Sequence, residues 1–332
     1  MKVVLNLQYG YYFLNLTQRH VDSLELNFPQ INFVNLEKED NRLLPEIQEA
    51  DAFVTWPIGL EKFKNIAETA RNLKWIQFSY TGVSQEYLEI AKNRSWISTN
   101  AKGIASESVS LHALSLLLVL ERNLHLAFQQ QQEKKWNHHV FTEQDYGFSG
   151  IRDKTLGIVG LGSIGEKLAA KAAGLGMRVL GIKKNFNKTL PYVEKILPPS
   201  QISTLLKESD ALILCAPLLK ETRCLLRDRE FDQMKRTAFL INVARGGLID
   251  ESALIEALQQ KKIAGAALDV VQEEPLAPDS PLYRTPRLIL TPHTAGLDRH
   301  YTDSLVALIL ENLKLFSEGN LLINQIDYSK GY

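Results

Sequence analysis

The most chemically legible run in the sequence is Gly160-Leu161-Gly162-Ser163-Ile164-Gly165, a G-x-G-x-x-G pattern. Taken alone such a run says little, because glycines are common in turns. Here it closes an apolar, strand-like stretch at 155–160 and opens an Ala-rich helical stretch at Ser163, the context a dinucleotide-binding turn requires. The first glycine permits the tight turn, the second lets backbone approach a pyrophosphate, and the third allows close helix–strand packing. Ser163 and Ile164 then lie at the helix N-terminus, where free N–H groups and the positive dipole end face the anion. The run is read as a dinucleotide site.

The strand after that helix, Arg178–Ile182, should lead to the residue that meets the adenosine ribose. NAD sites place Asp or Glu there, about 20 residues on. This chain has Lys183 followed by Lys184. A carboxylate there would repel a 2′-phosphate; a lysine offers it a charge-assisted bond roughly twice as strong as a neutral one. The expectation is NADP(H) preferred, with NAD(H) also usable. The plainer alternative is two solvated lysines at a strand end.

These residues need a scaffold, and the composition bounds it. A chain of 332 residues exceeds the usual single core, so two domains are expected. It is 45% hydrophobic and 23% charged, with 38 basic and 38 acidic residues, which gives no field to draw nucleic acid or an acidic membrane. The partner is expected to be a small molecule. Cys215 and Cys224 have neither metal-knuckle spacing nor a disulfide framework, and read as reduced thiols. The pair His138-His139 lacks a metal-ligand pattern and reads as surface, so no metal is expected. Asn6 and Gln8 interrupt the apolar start before a secretory core forms. The apolar run 111–120 is broken by His112 and Ser115 and is too short to span a bilayer, so it reads as a buried helix. A soluble cytoplasmic protein is expected.

Along the chain, 3–7, Ala52–Thr55 and 73–79 are β-prone, with a helical stretch at 61–71. Residues 104–131 read as one long helix, and 136–150 as a polar surface connection. From Lys154 the pattern becomes strict β-α-β alternation. Strands are expected at 155–160, Arg178–Ile182, 211–216, 238–243, 264–268 and Leu288–Leu290, with helices at 163–175 and 301–318. Asp250 is placed to cap a helix, with Glu251 at its positive end. Near-continuous apolar strands separated by helices mean parallel sheet covered on both faces.

Three further segments carry a resemblance: Asn242-Val243-Ala244-Arg245-Gly246-Gly247, Leu268-Asp269-Val270-Val271-Gln272-Glu273-Glu274-Pro275, and Leu290-Thr291-Pro292-His293-Thr294-Ala295-Gly296. With Lys154-Thr155-Leu156-Gly157-Ile158-Val159-Gly160 they resemble the D-isomer-specific 2-hydroxyacid dehydrogenases, most strongly over 150–300. The resemblance implies hydride transfer between NAD(P)H and the carbonyl of a small 2-oxo acid, giving a D-2-hydroxy acid. It implies a catalytic set of Arg245, Glu274 and His293. The alkoxide that follows hydride addition needs a proton from a group titrating near neutrality, as imidazole does. A carboxylate beside it favours imidazolium, and a guanidinium fork suits a substrate carboxylate. Glu273 rivals Glu274, and the family's Glu-Pro pair favours the latter.

The resemblance also assigns Asp269 to the nicotinamide carboxamide. It assigns Ala216-Pro217, Val243-Ala244 and Ala295-Gly296 to the cofactor lining. Ser79-Tyr80-Thr81-Gly82-Val83 resembles the loop whose amides hold the substrate carboxylate. Ser84 replaces the acid usual after that loop, and Tyr80 is bulkier than the small residue common there. The implied fold is α/β with two domains: a Rossmann-type domain over 100–296, and a smaller discontinuous flavodoxin-like substrate domain from 1–99 and 297–332. A homodimer is implied. A phosphoglycerate dehydrogenase-like enzyme and a nucleotide-sensing, corepressor-like binding protein of the same fold stay open as alternatives.

Overall fold

The computed structural model describes residues 1–8, 14–37, 40–141, 150–186 and 189–328. They form two compact units, one from Met1–Ala105 with Leu297–Tyr332, the other Ser106–Gly296. Most of the polar connection at 136–150 lies outside the described residues.

The first unit alternates β1 (Lys2–Asn6), α1 (Gln18–Asn27), β2 (Asn32–Asn35), α2 (Leu43–Gln48), β3 (Ala52–Thr55), α3 (Leu60–Thr69), β4 (Trp75–Phe78), α4 (Gln85–Asn93) and β5 (Ile97–Thr99). Its strands are all parallel, in the order β2-β1-β3-β4-β5, the flavodoxin-like arrangement. Successive side chains go to opposite faces. Val3, Leu5 and Trp75 join one buried cluster while Val4, Phe53 and Ile76 join another.

The second unit opens with α5 (Ser106–Glu121) and α6 (Leu124–Gln132). The single helix expected over 104–131 is therefore two, bent by 71°. The break is at Asn123, whose φ of 50° is left-handed, a conformation Asn tolerates better than most residues. Among the described residues no single helix is long and apolar enough to cross a membrane.

After them come β6 (Thr155–Val159), α7 (Ser163–Gly174), β7 (Arg178–Ile182), β8 (Lys195–Leu197), α8 (Ile202–Glu208), β9 (Ala211–Leu214), α9 (Asp228–Phe231), β10 (Phe239–Asn242), α10 (Glu251–Gln259), β11 (Gly265–Leu268) and β12 (Leu288–Leu290). The strands run β12-β11-β10-β9-β6-β7-β8, all parallel. This is the doubly wound order, whose direction reverses between β6 and β9. Strands β6, β9 and β11 are buried along their whole length, as a sheet covered on both faces requires. Asp250 caps α10, accepting from the backbone N–H of Ser252 and Ala253 at 3.1 and 3.2 Å. The chain then returns to the first unit as α11 (Tyr301–Ser317).

Candidate active site

Because every strand of the larger sheet is parallel, the segments after β6, β9, β10, β11 and β12 leave by the same edge. Ligands of open α/β sheets bind there, at the point of reversal. The Gly160 turn follows β6 and Ala216-Pro217 follows β9, the strands on either side of that point. Gly160 has φ of 101°, and a Cβ there would come within 2.8 Å of the Ala216 nitrogen. A Cβ on Gly165 would sit 2.3 Å from the Gly160 carbonyl oxygen, whereas one on Gly162 would meet nothing within 4 Å. Two glycines thus let backbone touch backbone, and the middle one leaves an open cradle. No side chain caps α7 at Gly162, so the first N–H groups, including those of Ser163 and Ile164, remain for a ligand. This cradle fits a dinucleotide pyrophosphate.

Beyond β7, Lys183 Nζ lies 2.7 Å from Glu166 Oε1, while Lys184 is exposed. Sequence reasoning gave Lys183 no partner.

Arg245 follows β10. The buried Asn242 carboxamide fixes its turn, donating to the Arg245 carbonyl at 2.9 Å and accepting from Ala244 N at 3.1 Å. Gly246 packs so closely on the next loop that a Cβ would fall 2.0 Å from the Val271 carbonyl carbon. The half-buried guanidinium makes no ion pair among the described residues. Burial lowers its pKa from the ordinary value, opposed by the Glu274 charge, and an arginine stays charged in any such setting.

His293 follows β12 at φ of 53°. Its Nδ1 is 2.6 Å from Glu274 Oε2, and Glu274 Oε1 accepts from Val271 N at 3.2 Å. Glu273 is exposed and makes no such contact.

The strained His293 turn is held by Asp269. Its carbonyl accepts from His293 N at 2.8 Å. Its carboxylate accepts from Thr294 N at 2.9 Å, Ala295 N at 3.0 Å and Thr291 Oγ1 at 2.6 Å. His112 Nε2, on α5, lies 3.1 Å from Thr291 Oγ1 and 3.4 Å from Asp269 Oδ1. Burial drives the Asp269 carboxyl up, but these hydrogen bonds overcome it and hold the pKa down at about 2. Asn242, Gly246, Thr291 and His112 were given no task from sequence. The signal for the first was its position as a polar residue at the end of an apolar strand; His112 looked like a mere interruption of an apolar run.

Val243, Ala244 and Ala295 are buried and Gly296 half-buried. Burial pushes the Cys215 thiol up to about 12. Among the described residues no group of His, Cys, Asp and Glu could hold a metal.

In the first unit, Ser79-Tyr80-Thr81-Gly82 follows β4. The Tyr80 carbonyl accepts from Ala101 N at 3.2 Å, and the Thr81 carbonyl from Asn100 Nδ2 at 3.1 Å. Among the described residues the N–H groups of Tyr80, Thr81 and Gly82 donate to nothing, as amides reserved for an anion would. The Tyr80 ring packs edge-on against Phe78, centroids 5.8 Å apart, and burial raises its pKa.

Comparison with known proteins places this arrangement. The pattern of "D-isomer specific 2-hydroxyacid dehydrogenase, NAD binding domain" matches residues 114–295. The chain is 33% identical to a glyoxylate reductase of Korarchaeum cryptofilum over 293 residues, 85% of each chain. It is 33% identical to a D-3-phosphoglycerate dehydrogenase of Methanocaldococcus jannaschii, covering 88% of this chain but 54% of that protein. Among solved structures it is similar to a D-isomer specific 2-hydroxyacid dehydrogenase from Xanthobacter autotrophicus in complex with NADPH, with a TM-score of 0.82, 25% identity, and coverage of 100% of this chain and 99% of that one. The chain belongs to the D-isomer specific 2-hydroxyacid dehydrogenase family. It is an NAD(P)-dependent oxidoreductase that interconverts a 2-oxo acid and the D-2-hydroxy acid.

Proposed function

We propose that this enzyme reduces a small 2-oxo acid of the glyoxylate and hydroxypyruvate class, with His293 as the acid. The observation that carries this reading is the 2.6 Å contact between His293 Nδ1 and Glu274, beside a dinucleotide cradle on the same sheet edge. The nicotinamide, when bound, supplies the hydride to the carbonyl carbon. The carbonyl electron pair moves to oxygen, and His293 gives that oxygen a proton. With Nδ1 engaged by Glu274, Nε2 is the donor. Glu274 fixes the ring's orientation through its 2.6 Å contact with Nδ1. Arg245 takes the substrate carboxylate and polarises the carbonyl. In the first unit, taken by itself, the free amides of Tyr80, Thr81 and Gly82 are suited to a carboxylate. The lining assigned to Ala216, Pro217, Val243, Ala244, Ala295 and Gly296 belongs to this reading, as does the contact of Asp269 with the nicotinamide carboxamide. Asp269 has a second task here, since most of its acceptor capacity serves the His293 turn.

Lys183 and Lys184 support NADP(H) as the preferred dinucleotide, with NAD(H) also used. A cytoplasmic homodimer is the accompanying expectation, with no nucleic acid or membrane partner. Leu111 and Phe128, 54% and 59% exposed on α5 and α6, offer apolar surface to a second copy. The test is turnover of glyoxylate, hydroxypyruvate and pyruvate with each dinucleotide, followed by absorbance. No oxidation of either reduced dinucleotide with any of them would sink the reading.

A further inference from the structure

The end of β7 holds a second carboxylate-bearing device. Glu166 stands in the first turn of α7, directly after Gly165, and Lys183 follows the last residue of β7. The N–H groups of Gly160 and Leu161 both donate to the Ile182 carbonyl, at 3.1 Å. The phosphate turn and the end of β7 are therefore tied together by backbone bonds. Across this corner Lys183 Nζ and Glu166 Oε1 are 2.7 Å apart, with 24% and 45% of the two side chains exposed. The ribose of a bound dinucleotide lies at the end of this strand. The strand lacks the carboxylate of an NAD site, yet the helix places one within a hydrogen bond of the lysine that stands in its stead.

We propose that Glu166 is a cofactor-selecting residue that restrains the preference for NADP(H). The proposal rests on the reading of Lys183 as a contact for the 2′-phosphate. A half-exposed ion pair of this kind adds little stability, so it breaks readily when a better anion arrives. With an unphosphorylated ribose, Lys183 stays with Glu166, whose oxygens can accept from the ribose hydroxyls. With a 2′-phosphate, Lys183 turns to the dianion, and Glu166 is left unpaired beside a like charge, which costs affinity. Lys184 makes no ion pair among the described residues, so the restraint acts on Lys183 alone. The native enzyme therefore separates the two dinucleotides by less than its paired lysines would.

The test uses ligands that differ only in the 2′-phosphate: adenosine 2′,5′-bisphosphate and 5′-AMP, titrated calorimetrically into the full chain. Glu166→Gln should tighten the bisphosphate about tenfold, the scale of one charge-assisted contact, and leave 5′-AMP within about twofold or weaker. Lys183→Met should weaken the bisphosphate, and the double variant should bind it more tightly than Lys183→Met but less tightly than Glu166→Gln. Retained 5′-AMP binding shows that each variant is folded, and Glu166→Ala should move the ratio in the same direction as Glu166→Gln. An unchanged ratio of the two affinities in both Glu166 variants overturns the assignment of Glu166. A native protein that does not favour the bisphosphate overturns the NADP(H) preference instead, whatever the variants do.

Discussion

Glu274 meets His293 across 2.6 Å, while Glu273, one residue earlier, points to no partner on that ring. Two adjacent carboxylates thus have different surroundings. His293→Ala should lower kcat for reduction by about 10²-fold or more while dinucleotide binding persists. Glu274→Gln should lower it too, because the ring loses the carboxylate that orients it. Glu273→Gln should change little. Stopped-flow turnover over a pH series checks all three, and equal losses in the two glutamine variants would remove Glu274 from its role.

Arg245 offers a two-pronged donor with no competing carboxylate bound to it. Arg245→Lys keeps the charge and loses the fork, so KM for the 2-oxo acid should rise and turnover should slow. An effect confined to dinucleotide affinity would assign Arg245 to the cofactor instead.

Asp269 links stability to acid pH. A carboxyl held at about 2 stabilises the fold once the pH exceeds its unfolded value near 4, and that contribution disappears as pH falls toward 2. It is worth about 2 kcal/mol at neutrality. Asp269→Asn should lose that amount near pH 7, and its melting temperature should approach the native one as the pH drops from 6 to 3. A pH-independent difference would mean that packing, and not charge, sets the role of Asp269.

The glycines of the site should separate by what stands next to them. Gly165→Ala and Gly246→Ala drive a methyl into backbone at 2.3 and 2.0 Å and should lower thermal stability. Gly162→Ala meets open space, so it should fold normally and lose dinucleotide affinity by about tenfold or more, because a methyl enters the phosphate's place. Differential scanning fluorimetry with and without dinucleotide distinguishes the two classes.

Much of this architecture could be read from the chain. Strands such as Ala211–Leu214 and Gly265–Leu268 are apolar on both faces, and the glycine turn announces its ligand. Strands β2, β5 and β8 went unread because they are edge strands of three or four residues, too short for a period to show, and β2 and β8 carry exposed positions such as Asn32 and Lys195. The bend at Asn123 depends on a single left-handed residue inside an otherwise helical pattern. The support of the His293 turn joins His112 to Thr291, 179 residues apart, and the Glu166–Lys183 pair depends on a corner that exists only after folding. Periodicity reports which face of an element is buried. It carries no information about which distant polar atoms meet.

The contact of Gly160 with the Ala216 backbone has a consequence for how the protein can vary. The phosphate turn is positioned by main chain resting on main chain, so the neighbouring side chains do not set its height above the sheet. The half-exposed Ser163 can drift to other small or polar residues without moving the turn. Gly160, at φ of 101° with backbone on its open side, has no such latitude. Sequence tolerance around this ligand should therefore change abruptly from one residue to the next, instead of declining smoothly with distance from it.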